Sequence, residues 1–264
     1  MKTILQQFPT VVCLTALLFS FCCTRLFAQD LLIAFPTTLP PWTLQAHNKG
    51  ITVEIMRNAL KLRGYKMKAK YLPLTELNQN LAADTDAHAQ VESPNLKGHY
   101  SAKIMDFQTS LISLKPRGLT IQSISDLQHQ RIIAFQNASQ LFGKSFLAMS
   151  QANARYQEIL NQEIQVVQLY NGETDLILID KNTFLYFQQI TVMTNTSMPV
   201  TYHQLDNLTK KSPAFVVFHD EKLRDDFNIG LQQLKENGDY YDIFYKYTRI
   251  HTIGKGHESA WQGP

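Results

Sequence analysis

Apolar residues change their spacing repeatedly along this chain, and the changes mark out elements. Leu31 to Phe35 is a continuous apolar run of strand length, and Pro36 to Trp42 is rich in turn residues. Gly50 then opens a helix whose inward stripe is Ile51, Ile55, Ala59 and Leu62, with Met56 and Leu60 beside it and Gly64 at its end. Lys66 to Leu72 predicts a second strand and Leu74 to Leu81 another helix. This alternation predicts parallel βαβ units. Asp86 to Ser93 predicts a third strand of a different kind. Ala87, Ala89 and Val91 fall on one face and His88, Gln90 and Glu92 on the other, whereas a parallel strand covered on both sides is usually apolar throughout. Its polar face needs partners.

Ile104 to Leu114 reads as extended, and Pro116-Arg-Gly118 marks a crossing between domains. A second α/β unit follows. Ser125 or Asp126 caps a turn, Arg131 to Phe135 is a strand, and Asn137-Ala-Ser139 precedes a helix carrying Leu141, Phe142, Phe146 and Met149. Tyr156 to Leu160 predicts a short strand, Asn161 caps a helix that runs to about Tyr170, and the buried strand Leu176 to Ile179 ends at Asp180. After a helix holding Phe184, Tyr186 and Phe187, Val200 to His203 returns as a strand, and the polar stretch Gln204 to Ser212 is a second crossing. Ala214 to Phe218 is again an apolar strand. Asp220 caps a helix with Leu223, Phe227, Leu231 and Leu234 on its inner face, Gly238 ends it in a left-handed turn, and a last helix is built on Ile243, Phe244 and Tyr247. The prediction is an α/β fold of two lobes with mixed, mostly parallel sheets and two hinge crossings. Residues 29–115 and 208–250 form lobe 1, residues 116–207 form lobe 2, and residues 251–264 form a tail.

Composition changes the picture at the N-terminus. Lys2 gives a positive start, Val11 to Phe21 is an apolar run too short to span a membrane, and Leu26-Phe27-Ala28 suits a signal peptidase. Residues 1–28 therefore read as a cleaved signal peptide and the remainder as a periplasmic protein. All three cysteines, Cys13, Cys22 and Cys23, lie within that leader. The remaining 236 residues then have no thiol for a disulfide, a metal site or catalysis. Their charge is nearly balanced, so nothing favours nucleic acid as a partner. No spacing of a metal site or cofactor motif stands out, and a monomer is expected.

Ligands of open α/β sheets bind beyond the carboxyl ends of the strands, where helix N-termini present unpaired amides. That rule selects Trp42 after the first strand, as a flat face for stacking or, alternatively, a core aromatic. It selects Glu92 and Ser93 after the third strand, where a carboxylate can meet an ammonium and a hydroxyl either kind of group. Gln136, Asn137 and Ser139 follow the strand at Arg131, and the amides at the next helix start suit a carboxylate. Asn137 tolerates the left-handed conformation such a turn requires. Asp180 ends its own strand, as a ligand for an amino group, as an N-cap, or as both.

The order of these pieces resembles family 3 bacterial solute-binding proteins, the periplasmic receptors of polar amino-acid uptake. Pro40-Pro41-Trp42 stands where that family has Pro-Pro-aromatic. Ile124-Ser-Asp-Leu127 followed by Arg131-Ile-Ile-Ala134 matches Leu-x-Asp-Leu-x-Gly-x-x-Val-Ala-Val, and Gly172-Glu-Thr-Asp175-Leu-Ile-Leu-Ile-Asp180 matches Gly-x-x-Asp-Ala-x-x-x-Asp. The C-terminal strand, acidic cap, Leu-Arg-x-x-Phe-Asn-x-x-Leu helix and aromatic close match as well. The resemblance implies a type II periplasmic-binding-protein-like fold that captures a small polar solute for an ABC permease or a membrane sensor. It also implies that Asp180 holds a ligand's amino group. One departure stands out. Past the third strand the family carries Ser or Thr and then an Arg that clamps the ligand α-carboxylate through two parallel hydrogen bonds. Here the chain reads Glu92-Ser-Pro-Asn-Leu-Lys-Gly-His-Tyr100, with only Lys97 for that role. An ordinary α-amino acid is therefore not the expected ligand; a cationic or strongly polar solute is. The rival expectation is an enzyme on the same scaffold, resembling cyclohexadienyl dehydratase, with Glu92 or His88 as general acid or base. A third is a domain that only contacts proteins.

Overall fold

A computed structural model describes residues 30–37, 39–77, 79–91, 96–191 and 198–248. The expected signal peptide, Glu92, Ser93 and the expected tail lie outside the described residues. In chain order the elements are β1 (Asp30–Pro36), α1 (Ile51–Leu62), β2 (Lys66–Leu72), α2 (Leu74–Leu77), β3 (Ala87–Val91), β4 (His99–Tyr100), β5 (Met105–Leu114), β6 (Ile132–Phe135), α3 (Ala138–Leu141) and α4 (Gly143–Ala152). They continue with β7 (Tyr156–Ile159), α5 (Gln162–Tyr170), β8 (Leu176–Asp180), α6 (Lys181–Thr191), β9 (Val200–His203), β10 (Lys211–Phe218), α7 (Glu221–Glu236) and α8 (Asp239–Thr248).

Two mixed sheets follow from the pairing. In one, β1 lies between β2 and β3 and is parallel to both, while β10 pairs antiparallel with β3 and with the short β4. In the other, β6 lies between β7 and β8, parallel to both, and β5 pairs antiparallel with β8 and β9. The sheets meet where β10 and β5 pair, from Lys211 opposite Gln108 to Ala214 opposite Met105. Along β5 the partner changes from β10 to β8 between Gln108 and Thr109. Both passages of the chain between the sheets therefore lie side by side in one antiparallel ribbon.

Each sheet has its own core. On the first, Leu31, Ile33 and Phe35 of β1 pack with Ile55 and Ala59 of α1, Phe227 and Leu231 of α7, and Phe244 of α8. On the second, the continuous apolar run of β8 serves two cores at once. Leu176 and Leu178 face one, with Phe146 and Met149 of α4, and Ile177 and Ile179 face the other, with Val166, Leu169 and Phe184. Burying each such side chain contributes about 1.5–3 kcal/mol.

On the polar face of β3, His88 finds its partners locally. His88 is fully buried, its Nε2 accepts from the Ala82 amide at 3.0 Å, and its Nδ1 stands 3.0 Å from the Leu77 carbonyl. Since an amide can only donate, the ring is neutral with its proton on Nδ1, donating to Leu77. Burial, reinforced by the nearby His219 and Lys70 charges, lowers its pKa from the usual 6.5.

Several local expectations change. The turn before β6 is capped by Ser123 in a reciprocal box with Asp126, not by Ser125 or Asp126 as first residue. The helix expected after Ser139 is two pieces, α3 and α4, separated at Phe142. Strand β10 starts at Lys211 and not at Ala214, within the stretch expected to be the second crossing, because its backbone pairs with β5 while its first side chains stay in water. The caps at Asn161 and Asp220 form as expected: Asn161 Oδ1 accepts from the Glu163 amide at 3.0 Å and Asp220 Oδ1 from the Leu223 amide at 2.7 Å.

Candidate functional site

Between the two sheets a cavity of about 910 Å³ opens where loops from both converge. Leu39, Trp42, Phe107 and Ser212 line it from the side of the first sheet. Phe135, Gln136, Asn137, Phe142, Lys144, Gln162, Asp180 and Thr183 line it from the second. The loop after β1 reaches the site because it is pinned to the start of α1. The Ile51 amide donates to the Pro41 carbonyl at 2.9 Å and the Thr52 amide to the Trp42 carbonyl at 3.1 Å. Gly50 makes that approach possible, for its φ is +124° and a Cβ there would lie 2.4 Å from the Trp42 carbonyl oxygen.

Trp42 is a core residue that also touches the cavity. It is 1% exposed and meets Phe107 and Phe244 edge-on, with ring centroids 4.9 and 6.0 Å away. Its rings are thus enclosed rather than presented as an open stacking platform. Among the described residues its indole Nε1 has no hydrogen-bond partner.

Asp180 is bonded on both oxygens. Oδ2 accepts from the Gln108 amide at 2.9 Å; Oδ1 accepts from the Thr183 amide at 2.9 Å and stands 3.2 Å from the Thr183 hydroxyl. That hydroxyl also reaches the Pro40 carbonyl at 3.0 Å. The carboxylate therefore fastens the strand-switching point of β5 to the start of α6, and α6 in turn to the loop after β1. Burial pushes its pKa up, against hydrogen bonds that favour the charged form. The N-cap reading accounts for one oxygen, and the capacity left for a ligand ammonium is small.

The turn after β6 has the backbone expected of it: Asn137 has φ +65° and Ala138 starts α3. Gln136 and Asn137 face the cavity. Its amides, however, are taken. Glu158, level with Ala134 across the β6–β7 pair, accepts from the Asn137 amide through Oε2 at 2.7 Å and from the Ser139 amide through Oε1 at 2.7 Å. The Tyr156 hydroxyl donates to the same Oε1 at 2.8 Å. Burial alone would raise the Glu158 pKa, but these bonds and one from the Ser139 side chain together hold it below the ordinary glutamate value. Burial and the adjacent carboxylate push the Tyr156 phenol well upward, so it stays protonated as a donor.

The other polar groups of the wall are Gln162, whose Oε1 has no partner among the described residues, and the exposed Lys144 and Lys210. No arginine is among the described lining residues, and Lys97 is exposed elsewhere. Among the described residues no cluster of His, Cys, Asp or Glu is arranged to hold a metal ion. No described helix is long and apolar enough to cross a membrane. The cavity thus brings together Trp42, Gln136, Asn137 and Asp180 of the expected set, while Ser139 stands behind them on Glu158. Glu158, Gln162 and Thr183 escaped the sequence reading. The available signal was a polar residue near the carboxyl end of a short strand, which is what Glu158 is.

No protein-family profile matches the chain, and no curated protein matches it. Solved structures do. The GluR0 ligand-binding core in complex with L-glutamate superposes with a TM-score of 0.61 at 12% identity, over 84% of this chain and 99% of that one. An ancestral cationic amino-acid solute-binding protein gives 0.63 at 15% identity, over 83% and 96%. The second substrate-binding domain of Lactococcus lactis GlnP, in an open conformation, gives 0.58 at 17% identity, over 85% and 97%. The likeness shows that this chain has the two-lobe fold of periplasmic binding proteins. The strand order β2-β1-β3-β10-β5, in which a C-terminal strand enters the first sheet, is the internal feature that goes with it.

Proposed function

We propose that the chain is a solute-binding protein of the family 3 kind, working outside the cytoplasmic membrane. A small polar solute is captured between the first sheet and the second, whose boundary lies at Gln108–Thr109 on β5 and at about Lys211 on β10, and an ABC permease or a membrane sensor reads the result. The observation that carries this reading is the cavity of about 910 Å³ walled by both sheets and flanked by their paired connections, β5 and β10. Clefts on two connections of this kind close by hinge motion. Similar structures with bound L-glutamate and with cationic amino-acid specificity support a solute of that size.

The wall narrows the ligand class. A solute with an apolar part fits Leu39, Phe107, Phe135 and Phe142, and its polar part can meet the exposed side chains of Gln136 and Asn137. Asp180, already bonded on both oxygens, gives little pull on an ammonium, and Lys144 and Lys210 at the rim oppose a strongly cationic ligand. The absent arginine argues against an ordinary α-amino acid. A neutral, strongly polar solute fits best. Of the two acid or base candidates of the enzyme alternative, Glu92 lies outside the described residues, and His88 lies fully buried with both ring nitrogens engaged, which argues against proton transfer by it. Titration calorimetry of the purified chain against sugars, short peptides, polyamines and amino acids tests the assignment. Micromolar binding of a neutral polar solute is expected, and tight binding of an unmodified α-amino acid alone would overturn it.

A further inference from the structure

Away from the cavity between the sheets, two basic faces meet at the turn that joins α1 to β2. Arg57 and Lys61 stand four residues apart on one face of α1. Beyond Gly64, whose φ of +84° turns the chain, the alternation of β2 packs Met67, Ala69 and Tyr71 against the first core and leaves Lys66 and Lys68 on the other face. Between them lies a pocket of about 630 Å³ lined by all four cations, and Asp30 is the one acid among its described lining residues. That volume falls within the roughly 300–1,000 Å³ of small-molecule sites.

Charge is balanced around this pocket but not inside it. Nearby, Arg63 pairs with Asp226 at 3.1 Å and Lys70 with Asp84 at 2.6 Å. Inside, Asp30 is taken by Lys68 at 2.7 Å. Arg57 donates to neutral oxygens, the Asn48 carbonyl at 3.0 Å and Asn48 Oδ1 at 3.3 Å. Lys61 and Lys66 have no ion pair among the described residues. Three positive charges without a counter-charge therefore share one concave wall, where field lines converge. A phosphate monoester matches them, since it brings about two negative charges and three acceptor oxygens to one point, more than a carboxylate can. We propose that this pocket is a second binding site, for a phosphate monoester carried by a small solute or by a membrane lipid. It shares no described lining residue with the cavity between the sheets, and β2 ends the strand order on the side away from β5. Filling one site therefore leaves the other open.

Calorimetry with glycerol 3-phosphate, and co-sedimentation with phosphatidylcholine vesicles with and without phosphatidic acid, test the site and separate the two sources. The purified chain should bind at least one phosphate probe and ignore vesicles of phosphatidylcholine alone. Affinity should fall about tenfold or more in the double variant Lys61→Gln with Lys66→Gln. A second double variant, Lys97→Gln with Lys115→Gln, removes the same charge from exposed positions outside the pocket and should bind as the unaltered chain does. All four replaced side chains are exposed, and circular dichroism confirms that the variants fold. Binding of neither probe, or equal affinities in the two double variants, would overturn the proposal. Solute capture is read separately, because the Lys61 and Lys66 replacements should leave the affinity for a solute between the sheets unchanged.

Discussion

At the scale of single residues, the site is governed by where each polar side chain finds its bonds. His88 shows how far that can depart from appearance. A histidine on a strand face beside two acidic or amide residues reads as exposed chemistry, yet it is a neutral strut tying β3 to the segment after α2. His203 is comparable: buried, with Nε2 2.8 Å from the Ser113 hydroxyl, and with burial lowering its pKa from 6.5. The sign follows directly. Both rings resist protonation when folded, and in the unfolded chain they take up protons near pH 6.5. Their contribution to stability is therefore complete above that pH and falls as the pH drops from about 6.5 towards the lowered folded values. Asp126, Asp175 and Asp226 act in the same direction but only at lower pH, since their pKa values already lie below the ordinary carboxylate value when folded. Urea denaturation between about pH 7.5 and 5.5 should show a falling unfolding free energy, flattened in His88→Gln; a flat profile in the unaltered chain would refute the neutral-strut assignment. The candidate site was legible to the same degree. Asp180, Asn137 and Gln136 were found because strand ends are readable. Glu158 was not, because its role depends on which strand β6 pairs with, and one sequence does not disclose the neighbour.

Elements were more legible than side chains, since each is fixed by a local period. Strands β2 and β9 have the limits their patterns predict, the inner stripe of α7 is buried, and that of α1 is buried at Ile51, Ile55 and Ala59, while Leu62, expected on the same stripe, is exposed at the helix end. Misreadings occur where tertiary pairing outweighs local polarity, as at the start of β10, or where a glycine splits a helix, as Gly143 does with φ +83°. One feature is invisible to periodicity. Gly230 lies within α7, where a glycine normally costs about 1 kcal/mol relative to alanine. It is there because α7 crosses α1 at this point: a Cβ on residue 230 would sit 2.2 Å from the Ala59 carbonyl oxygen. The obstacle is backbone, so the helices would have to separate along a seam that includes Ala59, Phe227 and Leu231. Overpacking of that kind costs about 1–3 kcal/mol and exceeds the gain in helix propensity. Gly230→Ala should therefore lower the urea midpoint by the equivalent of up to about 2 kcal/mol net, contrary to the usual effect of glycine replacement within a helix. A rise in the midpoint would mean that the crossing is looser than these distances state.

At the scale of the whole molecule, the two sheets each own a core, and named contacts among the described residues join them. These include the β5–β10 ribbon, the Asp180–Gln108 and Thr183–Pro40 hydrogen bonds, and the packing of Tyr186 of α6 against the core of the first sheet. Such a molecule is able to unfold in parts, because the cores of the second sheet do not include residues of α1 or α7. A solute held by both walls changes that. Its binding energy is lost when either half unfolds, so it couples the two transitions as well as raising them. At a concentration about a hundred times its Kd, a bound solute adds about 2.7 kcal/mol. For a chain of this size each kcal/mol shifts the melting temperature by roughly 2–4 °C, giving a rise of about 5–10 °C. Differential scanning calorimetry should therefore show the transition sharpen towards a single event as it moves upward with solute concentration. A solute that raises one component and leaves the other in place is held by one wall only, and capture between the lobes would then be the wrong description of how this cavity works.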